Sequence, residues 1–135
     1  MVMMKKLPIV RDYMATRLLT LKPDTEILEA AAVLLKHQIS GAPVVDDQKR
    51  LVGMLSEQDC LRLVAAGVDH DVPHGLVEKF MSREVESITP EMDLYYVAGL
   101  FLKKGYRRFP VVQKGVLVGQ ISRRDLLRAI LHHLS

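Results

Sequence analysis

The sequence predicts a mixed α/β fold of the α+β type, in which two β-α-β-β-α repeats pack through their sheets with pseudo-two-fold symmetry. The main observation is an internal duplication. When the chain is aligned with itself from residue 11 on residue 78, an offset of 67 that becomes 66 after one turn residue is lost, 15 positions are identical. In addition, each copy alternates short apolar runs with segments of helical periodicity. Each copy has about 55 residues, too few to bury a comfortable core alone, so we expect the two copies to pack on each other through one shared interface.

The first half of each copy contains a leading segment, a short strand and a helix. In the first copy, the leading segment ends at Tyr13-Met14 and the strand is expected near Thr20-Leu21. The helix is expected to open at Pro23-Asp24, because proline and an acidic residue both favour the first turn. Apolar residues then recur at helical spacing from Ile27 to Leu35. The second copy repeats these features at Phe80-Met81, Ser87-Ile88, Pro90-Glu91 and from Leu94 to Leu102, with Gly105 as the expected helix cap.

The second half of each copy contains two short apolar strands and another helix. In the first copy, the strands are Pro43–Val45 and Leu51–Leu55, and the helix begins at Ser56. The equivalent features of the second copy are Pro110–Val112, Val116–Ile121 and Ser122.

The stretch between the copies has the composition of a linker, since Gly67, Pro73 and Gly75 fall close together. We therefore expect domain boundaries that give a first repeat at 8–66, a linker at 67–76 and a second repeat at 77–131.

The composition is typical of a globular protein, with 49% hydrophobic and 26% charged residues. Aromatic residues make up only 5%, so the core is expected to be aliphatic. Cys60 is the only cysteine, which favours a reducing, cytoplasmic setting, and no apolar run is long enough for a signal peptide or a membrane span. No Ser/His/Asp or Cys/His arrangement indicates an enzyme, and His70 and His74 lack a third ligand for a metal.

A Ser-x-x-Asp motif follows a glycine-containing strand in both copies, at Ser56–Asp59 and at Ser122–Asp125. One interpretation is a capping box, in which the serine and the aspartate satisfy each other's backbone amides at a helix start. The other interpretation is a ligand site. A strand glycine lets a bound group approach closely, helix N–H groups suit a phosphate, and a carboxylate can accept from two ribose hydroxyls. Both interpretations can hold together.

With these motifs the chain resembles a pair of cystathionine-β-synthase (CBS) domains, the tandem often called a Bateman module. The resemblance covers residues 8–131 and depends on the order and duplication of the motifs. They read VRDYM, TLKPDT, SGAPVVD and LVGMLSEQD in the first copy, and VEKFM, SITPEM, RRFPVV and LVGQISRRD in the second. The resemblance implies a regulatory module that needs no cofactor. Its candidate regulatory ligand is an adenine nucleotide or S-adenosylmethionine, bound in clefts between the two copies.

The resemblance also implies roles for individual residues. The motif aspartates would meet the ribose hydroxyls, the motif serines would lie near phosphate, and a Thr or Ser would precede the first strand. These residues are Asp59, Asp125, Ser56, Ser122, Thr20 and Ser87. The base would be held by backbone and apolar contacts from the residues around the start of the next strand, which are Ile39, Ser40, Gly41 and Ala42 in the first copy and Tyr106, Arg107, Arg108 and Phe109 in the second.

Two arginine pairs distinguish the copies. Arg107-Arg108 stands where the first copy has Ser40-Gly41, and Arg123-Arg124 stands where it has Glu57-Gln58. The four arginines are either a solvated surface or one anion-binding patch. Because a guanidinium is a bidentate partner for phosphate, the two clefts are expected to be unequal. The family's cross-domain pattern would assign Arg107-Arg108 to the cleft of Asp59, and the order reverses if Arg123-Arg124 turn inward.

Three classes of function compete. The favoured one is a ligand-sensing module that acts on an unidentified effector protein, because no catalytic or transport domain accompanies the repeats. A nucleic-acid-binding or protein-interaction module without a nucleotide is the alternative. The net charge of +3 permits nucleic acid, but no stacking aromatic series supports it, and an enzyme is disfavoured. The small residues Ala30–Ala32 suggest close helix packing, and a homodimer is expected.

Overall fold

The protein, described here by a computed structural model of residues 6–67 and 74–135, divides into two compact units. The N-repeat unit is Leu19–Val85. The C-repeat unit combines residues 6–18 with Glu86–Ser135. The linker residues 68–73, with His70 and Pro73, lie outside the described residues. The predicted α+β class is confirmed, since each unit carries helices and one small antiparallel sheet.

The two units share the succession helix, strand, strand, helix, and each adds one short helical turn, which follows this succession in the N-repeat unit and precedes it in the C-repeat unit. In the N-repeat unit these are α1 (Ile27–Lys36), β1 (Gly41–Val45), β2 (Leu51–Ser56), α2 (Glu57–Ala66) and the short α3 (Val77–Phe80). In the C-repeat unit they are a 3-10 turn (Val10–Asp12), α4 (Leu94–Lys104), β3 (Arg108–Gln113), β4 (Val116–Ser122) and α5 (Arg123–Leu134). Both sheets carry a register shift at the same position, between Val44 and Val45 and between Val111 and Val112.

The predicted first strand of each repeat is reduced to a single bridge residue. Leu21 pairs in parallel with Val44, and its N–H donates to the Pro43 carbonyl at 2.9 Å. Ile88 pairs in the same way with Val111 in the C-repeat unit. The pairing stops because a turn that contains proline follows directly, and proline has no N–H to donate.

Helices α1 and α4 begin later along the chain than predicted. The Pro-Asp and Pro-Glu pairs lie in turns, and the caps are the next carboxylates along the chain. Glu26 accepts from the N–H groups of Leu28 and Glu29 at 3.0 and 3.3 Å, while Asp93 accepts from the Tyr96 N–H at 2.9 Å. The predicted cap at the other end of α4 is confirmed.

This C-cap is Gly105, which has a left-handed φ of 69°. Its N–H donates to the Phe101 carbonyl at 2.9 Å.

The leading segments pack on the sheet of the other repeat. Ser82 exchanges two backbone hydrogen bonds of 2.9 Å with Met54 of β2. Ala15 exchanges two of 2.8 and 3.0 Å with Gln120 of β4. The packing units therefore differ from the sequence repeats in where each leading segment belongs. The predicted boundaries 8–66 and 77–131 remain a description of the repeats alone.

Each unit has its own core. The N-repeat core is aliphatic, as expected, and consists of Leu21, Ile27, Ala30, Leu34, Ala42, Val44, Leu55, Val77 and Met81. The C-repeat core departs from that expectation, because the buried rings of Phe101 and Phe109 pack at 4.7 Å between centroids. Leu35 and Leu102, at the edge of the predicted helical stripes, are exposed instead.

Candidate functional site

The Ser-x-x-Asp motif forms a complete capping box in the N-repeat unit. Ser56 is the N-cap of α2, and its Oγ accepts from the Asp59 N–H at 3.2 Å. Asp59 Oδ2 accepts from the Ser56 N–H at 2.9 Å and from the Ser56 hydroxyl at 3.0 Å. The capping interpretation is thus confirmed, and one carboxylate oxygen is fixed by the helix start.

The C-repeat motif has the same cap but a more open carboxylate. Asp125 Oδ2 accepts from the Ser122 N–H at 3.1 Å, and Ser122 Oγ accepts from the Asp125 N–H at 3.0 Å. The side chain of Asp125 is 32% exposed, against 14% for Asp59. A ligand therefore has easier access to the second aspartate.

Among the described residues, the other oxygen of each aspartate pairs only with an exposed arginine. Asp59 Oδ1 lies 3.3 Å from Arg62, and Asp125 Oδ1 lies 3.5 Å from Arg128. Both arginine side chains are mostly exposed, and exposed ion pairs of this kind contribute about 0–1 kcal/mol. Oδ1 also keeps an unused lone pair. A ligand hydroxyl can therefore approach Oδ1 without disturbing the cap.

Backbone pairing brings the start of one strand to each motif. In the N-repeat unit, Gly41 stands opposite Ser56, and the Ser40 carbonyl accepts from the Glu57 N–H at 2.8 Å. In the C-repeat unit the equivalent pairing of β3 with β4 places Arg108 opposite Ser122. The Arg107 carbonyl accepts there from the Arg123 N–H at 3.0 Å. The structure thus unites the predicted strand-start and motif residues of each repeat.

The remaining predicted residues differ in what they offer. Thr20 and Ser87 are exposed and directly precede the parallel bridges. Ala42 and Phe109 are buried in their cores, so they offer a ligand only backbone groups. Ile39 packs partly against the N-repeat core.

Tyr106 is 43% exposed, and its ring stands edge-on to Phe109 at 5.5 Å. Among the residues predicted to contact the base, Tyr106 therefore offers an exposed aromatic ring.

The strand glycines serve a different purpose from the predicted one. A Cβ on Gly53 would overlap Met81 and lie 2.9 Å from the Ser82 carbonyl. A Cβ on Gly119 would lie 2.9 Å from Met14 Cγ and 3.0 Å from the Ala15 carbonyl. The expected close approach is present, but the approaching group is the protein's own leading segment rather than a ligand.

Four arginines of the C-repeat unit lie at the start of α5 and at the strand start that pairs with it. Arg107 directly precedes β3 and Arg108 is its first residue, while Arg123 and Arg124 lie in the first turn of α5. Within the described part of the chain, none of their guanidinium groups has a hydrogen bond or an ion pair. They are available to an anion.

A hollow of about 250 Å³ in the C-repeat unit also reaches the motif. It is lined by Tyr13, Asp125, Arg128, Ala129 and His132. Its polar groups include the Tyr13 hydroxyl, 3.2 Å from His132 Nδ1. Tyr13, Arg128 and His132 were not among the ligand-binding residues predicted from the sequence. The sequence did carry a signal for part of this hollow. Asp125, Arg128, Ala129 and His132 are spaced so that they share one face of α5.

Cys60 follows the N-repeat motif and is partly buried against the core. Burial raises the pKa of its thiol, and the charges of Asp59 and Glu57 raise the pKa further. This environment suits a packed thiol rather than a nucleophile. Among the described residues, no group of three potential ligands could hold a metal ion, and no helix is long and apolar enough to cross a membrane.

Comparison with known proteins identifies the family. Residues 10–66 and 77–132 each match the CBS domain. The chain belongs to the CBS domain family. This CBS pair is 37% identical over 118 residues to the CBS domain-containing protein YhcV of Bacillus subtilis, covering 87% of this chain and 81% of YhcV. It is 32% identical over 121 residues to the uncharacterized protein MJ1225 of Methanocaldococcus jannaschii, covering 90% of this chain but only 42% of that relative.

Solved structures of CBS pairs share the fold. CBSX2 in complex with AMP superposes with a TM-score of 0.82 at 30% identity, covering 95% of this chain and 99% of CBSX2. The CBS domain pair of MJ0100, in complex with 5'-methylthioadenosine and S-adenosylmethionine, gives a TM-score of 0.77 at 26% identity, covering 95% of this chain and 99% of that pair. Related CBS pairs thus hold adenosine-containing ligands.

Proposed function

We propose that this CBS pair is a regulatory module that binds an adenosine-containing ligand at its Ser-x-x-Asp motifs and signals its occupancy to a partner protein. The candidates are AMP, ADP, ATP and S-adenosylmethionine. The observation that carries the proposal is the arrangement of each motif aspartate, with one oxygen fixed by the cap and the other facing only an exposed arginine. The complexes of CBSX2 and MJ0100 support the choice of ligand class.

The chemistry of the motif suits a ribose. A carboxylate can accept from both neighbouring hydroxyls, and the cap holds it in one orientation before the ligand arrives. Ordering the group in advance reduces the entropic cost of binding. The motif serine and the helix N–H groups beside it would receive a phosphate, because helix N-termini favour anions. In this proposal Asp59 and Asp125 recognise ribose, whereas Ser56 and Ser122 lie near the 5' substituent.

The same proposal includes a non-catalytic role in the cytoplasm and assembly with other proteins. Apolar side chains on the outer faces of α2 and α5 are more than half exposed, which favours a protein partner for these helices. They are Leu61, Val64, Leu127, Leu131 and Leu134. We propose a homodimer through these helices, and an effector that senses how the ligand alters them.

Isothermal titration calorimetry tests the proposal. AMP is titrated into the native protein, into Asp59→Asn, into Asp125→Asn and into the double variant. Asparagine keeps one acceptor oxygen for the cap but loses the charge and one acceptor. We expect the double variant to bind AMP at least tenfold more weakly, a loss of about 1.4 kcal/mol. Glu29→Gln, which neutralises an exposed first-turn acid of α1, should bind AMP like the native protein.

An AMP analogue without the 2' and 3' hydroxyls provides the second arm. It should bind the native protein as weakly as AMP binds the double variant, because both changes remove the same hydrogen bonds. Undiminished AMP affinity in the double variant, or equal native affinity for AMP and its analogue, contradicts the ribose assignment.

A further inference from the structure

The outward face of α2 carries apolar side chains that the N-repeat unit leaves uncovered. Leu61 and Val64 lie one helical turn apart and are 65% and 59% exposed. Glu57 precedes Leu61 by four residues, so it begins the same row of side chains. A surface helix ordinarily presents polar groups on the side away from its core. Exposed apolar patches of this kind mark contacts with another molecule.

The outward face of α5 repeats this arrangement in the C-repeat unit. Leu127 aligns with Leu61 in the duplication and is 60% exposed, and Leu131 one turn later is exposed as well. Arg123 and Arg124 precede Leu127 by four and three residues and therefore lie on its side of the helix. Each unit thus has an outward apolar face that begins with charged or polar residues.

The charges at the start of the two faces are opposite. The duplication aligns Glu57 with Arg123 and Gln58 with Arg124. Over its whole length α2 has two carboxylates and one arginine, a net charge of −1, whereas α5 has one carboxylate and three arginines, a net charge of +2. Within the described part of the chain, Glu57, Arg123 and Arg124 form no ion pair. These charges are therefore available to a partner.

A second copy of the chain can match both faces, provided that it presents the opposite helix to each. If α5 packed on α5 of the other copy, two cationic faces would meet, and juxtaposed like charges weaken an interface. If α2 packs on α5 of the other copy, Glu57 meets a cationic face instead. A two-fold axis then generates the reciprocal contact of α5 with α2, so the dimer closes.

We propose that the homodimer is cross-paired, which means that α2 of each copy packs on α5 of the other. This inference rests on the proposed homodimer and specifies which faces meet. Leu61 and Leu127 each lie near the middle of their helix. They therefore come together whichever way the two helices cross. In the alternative, like-paired dimer, α2 contacts α2 and α5 contacts α5.

Cysteine crosslinking distinguishes the two dimers. Cys60→Ala removes the only cysteine, and Leu61→Cys or Leu127→Cys is then added at an exposed position of that protein. The two single-cysteine proteins, one with a mass tag, are co-expressed, treated with a short bis-maleimide and separated on a denaturing gel. We expect a crosslinked dimer of one tagged and one untagged chain. Neither protein alone should crosslink, and Gln48→Cys, in an exposed turn, should not crosslink to Leu127→Cys.

Charge reversal supplies a second readout, the dimer dissociation constant measured by sedimentation. Glu57→Arg should raise this constant by about tenfold, the equivalent of about 1.4 kcal/mol, because each of two contacts loses an ion pair worth up to about 1 kcal/mol. Adding Arg123→Glu and Arg124→Glu to the same chain should restore it. Glu84→Arg makes the same change of charge at an exposed position outside the helices and should leave the constant unchanged.

The outcomes separate this inference from the proposed function. Crosslinks from Leu61→Cys alone or from Leu127→Cys alone, or a dimer that gives no mixed crosslink, would overturn cross-pairing and leave the homodimer standing. A dissociation constant unaffected by Glu57→Arg would overturn the charge argument for it. A monomeric native protein would overturn cross-pairing and the homodimer together, whereas ligand binding is decided separately by the calorimetry.

Discussion

Replacement of Gly119 by alanine should destabilise the protein, because the leading segment crosses β4 at this residue. The added Cβ would lie 2.5 Å from Met14 Sδ and 3.0 Å from the Ala15 carbonyl oxygen. Met14 can rotate away. The Ala15 carbonyl cannot, since it accepts the Gln120 N–H at 3.0 Å and its residue donates back at 2.8 Å. The backbone bridge must therefore shift.

The magnitude follows from two opposing terms. Overpacking of this kind costs about 1–3 kcal/mol. Alanine also restricts the unfolded chain, which returns about 0.4–1 kcal/mol. We expect a net loss of about 1–2 kcal/mol in the free energy of unfolding, measured by urea denaturation and circular dichroism. Such a loss is readily measured against a total stability of about 5–15 kcal/mol.

Gly99→Ala is the matched control in the same unit. Gly99 lies inside α4, and apart from its chain neighbours and the helix's own backbone, no heavy atom of the described residues stands within 4 Å of its added Cβ. Alanine is better than glycine in a helix interior by about 0.8–1 kcal/mol, so this variant should be more stable than the native protein. A neutral or stabilising Gly119→Ala, or equal losses in the two variants, would refute the packing of the leading segment on β4.

Three further predictions concern single side chains. Burial raises the pKa of the Cys60 thiol, and the charges of Asp59 and Glu57 raise it further. Iodoacetamide at pH 8 should therefore alkylate the native thiol more slowly than the thiol of the urea-unfolded chain. Equal alkylation rates would contradict this prediction. The same shift has a stabilising effect that is complete below the ordinary thiol pKa and is lost as pH rises through the raised pKa. Asp93→Ala removes the N-cap of α4 and should lower the free energy of unfolding by about 1 kcal/mol, measured by urea denaturation. An unchanged denaturation midpoint would contradict a stabilising role for this cap. Light scattering should give twice the chain mass, and Leu131→Glu should reduce it to that of one chain; a monomeric native protein would contradict the proposed homodimer.

Much of the fold was predictable because the duplication supplied each element twice. The strands around Pro43 and Pro110 and the helix starts at Ser56 and Ser122 follow from apolar spacing and local capping chemistry, which act over a few residues. Gly105 is a local signal of the same kind. Such features need no knowledge of distant contacts.

The exchange of leading segments was not predictable in this way. Hydrophobic spacing indicates that residues near Met14 and Met81 are partly or fully buried, but it does not indicate which sheet covers them. The same limit explains the incorrect ligand interpretation of Gly53 and Gly119. A glycine indicates that something approaches closely, and only the fold shows that the approaching group is Met81 or Met14.

Within the candidate site, the capping box was predictable from four residues, and its role toward a ligand was not. The charge contrast between the sites was visible in the aligned sequence. The backbone hydrogen bond from the Arg123 N–H to the Arg107 carbonyl, which joins the strand start to the helix start, required the structure.

The most direct test of the account is a crystal structure of the protein with AMP. We expect a ribose whose hydroxyl oxygens lie about 2.5–3.0 Å from Oδ1 of Asp59 or Asp125, while Oδ2 still accepts from the serine amide of the cap. AMP bound with its ribose remote from both aspartates, or no AMP at saturating concentration, would contradict the account.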